Sequence, residues 1–178
     1  IFFMIKEDKQ YIFGDCAINP TLESSDLAEI AVESAKSAKS FGMDPRVAML
    51  SFSTKGSAKS DDVEKVANAV KLAQEKVESE GLDNVVVDGE FQFDAAIVPA
   101  VAEKKAPGAK IQGDANVFVF PSLEAGNIGY KIAQRLGGFE AIGPVLQGLN
   151  SPVNDLSRGC STEDVYNLSI ITAAQTLQ

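Results

Sequence analysis

The chain has 178 residues, 45% of them hydrophobic and 23% charged, with a formal net charge of −9. This is the composition of a folded globular chain of one domain, or one and a half small ones, and it excludes global disorder. No apolar run approaches the roughly 20 residues that a membrane-spanning helix needs, and an acidic chain without a basic stripe is not expected to bind nucleic acid through broad electrostatics.

Strand-like and helix-like periods alternate along the sequence. Residues 1–6 and 11–18 flank the polar turn Glu7-Asp8-Lys9-Gln10 and read as an antiparallel hairpin. The opening Ile1-Phe2-Phe3-Met4-Ile5 is too short for a signal peptide and lacks a basic leader. It begins in mid-strand without an initiator Met, so the expectation is a piece of a larger protein.

Leu27, Ile30, Ala31, Ala35, Ala38 and Phe41 then mark an amphipathic helix opening near Pro20-Thr21 and ending at Gly42. Val47–Phe52 is a buried strand. Ser60-Asp61 opens a second helix with Val63, Val66, Ala67, Val70 and Val77 on its core face. Val85-Val86-Val87 is a strand ending in Asp88-Gly89-Glu90, and a helix over Ala95–Lys105 stops before Pro107-Gly108. Asn116–Phe120 is a strand closed by Pro121, and Leu123–Leu136 a helix ending at Gly137-Gly138. Ala141–Leu149 is expected as a last strand. Ser161–Leu177 is expected as a closing helix with Tyr166, Ile170, Ala173 and Leu177 on one apolar stripe.

This alternation implies right-handed βαβ crossovers. The expected fold is α/β, a mostly parallel sheet with helices on both faces and an antiparallel edge hairpin. Ligands of such sheets sit beyond the C-terminal ends of the strands. Three polar loops lie there, over residues 51–57, 88–94 and 121–129.

The chain contains no histidine. Ser-His-Asp and Cys-His mechanisms and His-containing zinc sites are therefore excluded, and acid–base chemistry falls to carboxylates, Lys, Tyr, Cys or the substrate. Two cysteines, Cys16 and Cys160, cannot make a metal site alone. No metal is expected, and a reduced, cytoplasmic setting fits best.

Three segments carry candidate chemistry. Ser53-Thr54-Lys55-Gly56-Ser57 joins a strand to a helix and offers hydroxyls, a cation and a glycine to a phosphoryl group, without P-loop spacing. An ordinary solvated turn explains it equally well. Glu124-Ala125-Gly126-Asn127-Ile128-Gly129-Tyr130-Lys131 places two glycines in a helix, at about 1 kcal/mol each; close packing is the better reading and ligand approach the alternative. Asn154–Val165 sets Ser157, Arg158, Gly159 and Asp164 around a helix start, where backbone N–H groups favour anions and Arg158 presents a planar fork. Ser161 and Asp164 also spell a capping box, an equally weighted structural explanation for Asp164.

Five motifs in order resemble phosphate acetyltransferase, in its C-terminal half. They are residues 13–20 (FGDCAINP), 50–57 (LSFSTKGS), 88–96 (DGEFQFDAA), 120–131 (FPSLEAGNIGYK) and 154–160 (NDLSRGC). Phosphate butyryltransferase shares parts of the pattern and is the close alternative. A second alternative is a non-catalytic acetyl-CoA-sensing domain of the kind fused to malic enzymes; the presence of Ser157, Arg158 and Asp164 together favours the enzyme.

The resemblance implies an isopropylmalate-dehydrogenase-like fold and interconversion of acetyl-CoA and phosphate with CoA and acetyl phosphate. CoA is then a substrate and no cofactor is needed. It implies Ser157, Arg158 and Asp164 as catalytic residues, with Asp164 taking the proton of the CoA thiol. Ser53, Thr54, Lys55, Gly56, Ser57, Gly126 and Asn127 are the expected substrate-binding residues. Residues 1–150 are expected to be the second α/β domain, and 151–178 the segment that carries the catalytic loop and returns to a missing first domain. The expected partners are CoA, acetyl phosphate, inorganic phosphate, that N-terminal half and a second copy in a homodimer, with no nucleic acid and no membrane.

Overall fold

Within residues 1–177, which the computed structural model describes, six strands and six helices follow one another along the chain. The hairpin is β1 (Phe2–Lys6) and β2 (Lys9–Gly14). Then come α1 (Ser24–Ser40), β3 (Arg46–Leu50), α2 (Asp61–Ser79), β4 (Val86–Phe91), α3 (Phe93–Ile97), α4 (Pro99–Lys105), β5 (Val117–Val119), α5 (Leu123–Arg135), β6 (Glu140–Ile142) and α6 (Thr162–Gln175).

The strands form one sheet in the order β4-β3-β5-β2-β1-β6. β4, β3, β5 and β2 pair in parallel, and β1 runs antiparallel to both β2 and β6. The α/β architecture is the expected one, with the antiparallel hairpin at one end of the sheet and the three-residue β6 added outside it. Alternation along each strand divides the core in two. Phe3, Ile12, Val47, Met49, Val117 and Val119 face α1 and α2. Phe2, Met4, Phe13, Ala48, Leu50 and Phe118 face the side covered by α3, α4 and α5.

Several boundaries differ from the sequence reading, each for a local reason. α1 starts at Ser24 because Glu23 and Asp26 make a capping box, the Glu23 N–H donating to Asp26 Oδ2 at 2.8 Å. The helix expected over Ala95–Lys105 is two helices, because the residue before Pro99 is held out of the helical region and Val98 is extended at φ −117°, ψ 110°. The strand expected over Ala141–Leu149 ends at Ile142. Gly143 takes φ 156° and Pro144 has no N–H to give a ladder. In α6 only Leu168 is buried; the expected stripe is real but turned outward, with Tyr166 at 66% and Ile170 at 51% exposed.

One turn at the C-terminal edge of the sheet holds α5. Asp15, which follows β2, is buried, and its carboxylate accepts from the N–H groups of Ala17 (2.8 Å), Ile18 (3.1 Å) and Asn19 (2.7 Å) and from Asn19 Nδ2 (2.8 Å). The Asp15 carbonyl then lies so close to α5 that a Cβ at Gly126 would be 2.1 Å from its oxygen. Beside it Asn127 Nδ2 donates to the Cys16 carbonyl at 3.0 Å. Burial pushes the Asp15 carboxyl up, but the four donors outweigh it and hold the pKa below the usual carboxylate range.

A carboxylate with a depressed native pKa contributes stability that is present above its unfolded value, about 3.9, and lost as the pH falls through the native value. Asp15→Asn is therefore expected to lower the unfolding free energy at pH 7. Its difference from wild type should shrink as the pH drops below about 4, measured by denaturant unfolding across that range.

Candidate active site

At the C-terminal edge of the sheet, beside β1 and β6, lies a cavity of about 390 Å³. The second half of α5 gives it Tyr130, Lys131, Gln134 and Arg135, and the irregular segment after β6 gives Pro144, Ser157, Gly159 and Cys160. The first turn of α6 adds Asp164. The fold thus brings Ser157 and Asp164, seven residues apart, to one cavity. Arg158 stands between two cavity-lining residues with its side chain exposed, and among the described residues it makes no ion pair.

Ser157 starts a tight turn: its Oγ accepts from Gly159 N–H at 3.2 Å, and its carbonyl accepts from Cys160 N–H at 3.0 Å. Asp164 makes the capping box. Its Oδ2 accepts from Ser161 N–H at 2.7 Å and Ser161 Oγ at 2.9 Å, while its own N–H donates to Ser161 Oγ at 3.1 Å. The Ser161 N–H, the Ser161 hydroxyl and the positive field of Arg135 hold the Asp164 pKa below the usual range. The structural explanation of Asp164 is therefore realised, and a proton-accepting role would be added to it.

The Ser53–Ser57 loop sits elsewhere. It follows β3, which is three strand spacings from β1, about 14 Å. Ser53 and Thr54 are buried, and the loop wraps an internal anion. Glu90 Oε1 accepts from Ser53 Oγ at 2.8 Å and from Gly56 N–H at 2.7 Å. Thr54 N–H donates to Ser57 Oγ at 2.9 Å. Lys55 Nζ is ion-paired with the buried Asp88 and donates to the Gly89 carbonyl at 2.7 Å. Those groups that could grip a phosphoryl oxygen already have partners inside the protein. Gly126 is accounted for by the Asp15 carbonyl, and Asn127 also accepts from Lys131 Nζ at 2.6 Å.

Tyr130, Gln134 and Arg135 escaped the sequence reading, which weighed this helix for its glycines alone. The signal was there: Tyr130 with Gln134, and Lys131 with Arg135, are four apart and share a helix face. What could not be seen is that this face meets the loop before α6.

With that geometry in hand, the chain can be set beside known proteins. The profile of the family described as "Phosphate acetyl/butaryl transferase" matches residues 1–173, and the chain belongs to that family. A phosphate acetyltransferase of Staphylococcus epidermidis is 86% identical over all 178 residues, which is 54% of the relative's length. One from Staphylococcus aureus is 85% identical over the same span. The structure of EutD phosphotransacetylase from Staphylococcus aureus superposes with TM-score 0.95 at 84% identity, over 98% of this chain and 53% of that one. A branched-chain phosphotransacylase from Enterococcus faecalis gives 0.76 at 28% identity, over 98% of this chain and 62% of that one. The chain spans about half the length of the curated relatives it matches.

Removing the Glu90 carboxylate would strand the Gly56 N–H and take from the Ser53 hydroxyl its shortest acceptor. Glu90→Ala is expected to destabilise the protein by about 2–4 kcal/mol, read by denaturant unfolding, with the 53–57 amides losing hydrogen-exchange protection.

Proposed function

We propose that this chain is the C-terminal half of a phosphate acetyltransferase, which interconverts acetyl-CoA and phosphate with CoA and acetyl phosphate. The observation that carries the reading is the 84–86% identity, along nearly the whole chain, to proteins named for that activity. Identity to the branched-chain phosphotransacylase is only 28%, which favours acetyl over longer acyl groups. The meeting of Ser157 and Asp164 in one cavity, with Arg158 between lining residues, favours an enzyme over a sensing domain.

In this reading residues 1–150 form the second α/β domain, and 151–178 carry the catalytic loop back to a first domain. Supporting this is the outward apolar stripe of α6, Tyr166 and Ile170 above all, which has the character of a surface awaiting cover. The assembly is a cytoplasmic homodimer that uses CoA as substrate and no further cofactor. Among the described residues no helix is long and apolar enough to cross a membrane.

The chemistry assigned to the residues is an acyl transfer. The CoA sulfur attacks the carbonyl carbon of acetyl phosphate, a C–S bond forms, the C–O bond to phosphorus breaks, and phosphate leaves. Arg158 holds phosphate oxygens, its planar fork suited to two of them. Ser157 donates to the oxygen on which charge develops, and Asp164 receives the thiol proton. A thiol of pKa about 8.5 facing a carboxylate of about 3.9 makes complete proton removal uphill before attack. Ser161 and Arg135 widen that gap. Proton transfer therefore accompanies attack, as the sulfur loses basicity on bonding to carbon. Substrate binding by the Ser53–Ser57 loop, Gly126 and Asn127 would fall outside the Ser157 cavity, since none of them lines it and most of their polar groups are held within the protein.

The test is a comparison of this chain with the longer protein in acetyl-CoA formation from CoA and acetyl phosphate. The longer protein is expected to turn over at roughly 1–1000 per second and the chain alone to show little or none. A longer protein with no activity would refute the transferase reading. Asp164→Asn in the longer protein keeps a hydrogen-bond acceptor for the Ser161 cap. Its melting temperature is expected to stay nearly unaltered while turnover falls at least about 100-fold with little change in CoA binding. A variant that melts early but turns over normally would leave Asp164 a cap alone.

A further inference from the structure

Tyr130 is the cavity residue that neither the capping box nor the Asp15 anchor explains. Its ring stacks on Phe2, centroids 4.1 Å apart and planes 15° from parallel. Phe2 is itself buried, and Gly143 packs so close that a Cβ there would lie 2.8 Å from the Phe2 ring. Lys131 Nζ stands 5.6 Å from the Tyr130 ring centroid. The ring is thus fixed in place on a β1 side chain. Among the described residues, however, no hydrogen bond engages its hydroxyl, although the residue lines the same cavity as Ser157, Arg135 and Asp164.

A tyrosine whose ring is immobilised and whose hydroxyl is left over is a preorganised donor: little side-chain entropy remains to be lost when it bonds a ligand. Burial raises its pKa, and Arg135 only partly opposes this. The hydroxyl therefore keeps its proton at neutral pH and can donate a hydrogen bond to an anionic oxygen without bringing a charge of its own.

We infer that Tyr130 is a substrate-binding residue whose hydroxyl donates a hydrogen bond to an oxygen of the acyl phosphate in the cavity shared with Ser157. Phe2 acts as its positioning residue. The inference rests on the acyltransferase reading above and deepens it by adding a neutral donor to the charged Arg158.

The experiment is Tyr130→Phe in the longer protein, which keeps the stack on Phe2 and deletes only the oxygen. The expected result is a fall of roughly 10- to 100-fold in kcat/KM for acetyl phosphate, the range for losing a hydrogen bond to a charged group. The KM for CoA and the melting temperature should be unchanged. Phe2→Leu keeps the hydroxyl but removes the stacking partner, and a smaller fall in the same constant is expected. If wild type is active and Tyr130→Phe stays within about twofold of it for both substrates, the Tyr130 inference is overturned and the transferase reading survives. If the wild-type longer protein has no transferase activity, both are overturned.

Discussion

The approach of α5 to the Asp15–Cys16 turn governs how this edge of the sheet is built. With the Asp15 carbonyl 2.1 Å from where a Cβ would stand, position 126 admits only glycine unless the backbone moves. That closeness is made possible by the turn itself. Asp15 gathers three backbone N–H groups onto one buried carboxylate and so gives a stretch of irregular chain the fixed shape of a regular element. Asn127 then ties α5 to the same turn through the Cys16 carbonyl. Everything that α5 presents one or two turns later, Tyr130 and Arg135 included, is aimed by that contact.

Charge is distributed along this edge in two different ways. Near β3 and β4 the anions are internal. Glu90 is buried beneath Ser53 and Gly56, and Asp88 is buried against Lys55, so the loop is held rigid and its cation is neutralised. Near β1 and β6, Arg135 and Asp164 line a cavity, and Arg158 is exposed between the lining residues Ser157 and Gly159. Low exposure makes the first set a matter of stability, because a buried carboxylate must be paired. In the second set Arg135 and Arg158 make no ion pair among the described residues. Two loops that look alike in composition therefore differ in how far their charged groups are already engaged.

Helix α6 touches the core on the α1–α2 side through one buried residue. Leu168 alone is buried against the sheet, with Leu156 and Ile171 packed beside it, while its other apolar side chains face outward. A helix with so small a buried face gains little from this half of the protein. The Ser161 capping box fixes Asp164 within the helix start, while Asn154, which donates to Thr172 at 2.8 Å and to Gln175 at 2.7 Å, and Asn167, whose Nδ2 donates to Glu140 Oε1 at 2.7 Å, tie the helix to the rest of the chain.

The fold was legible in the sequence because hydrophobic period is a local property. Continuous apolar runs such as Phe2 to Met4 and Val47 to Leu50, which read as strands buried on both faces, and the helical stripe from Leu27 to Ala38 require only the chain's own geometry to be assigned. Capping was legible for the same reason at Ser60 and Ser161, where residue and partner lie three apart. The short β6 and the break at Pro99 follow from Gly143-Pro144 and Val98-Pro99, which are present in the chain as local signals. Tertiary structure alone decided which polar groups were already taken. Lys55 and Ser53 carry the same chemistry in the sequence whether Asp88 and Glu90 reach them or not, and those carboxylates arrive from a different strand, more than thirty residues away. Tyr130 likewise becomes informative only once Phe2, from the opposite end of the chain, lies under its ring. Period and caps are matters of a few bonds along the backbone; partnership is a matter of distance in space, and only the folded chain brings those distances about.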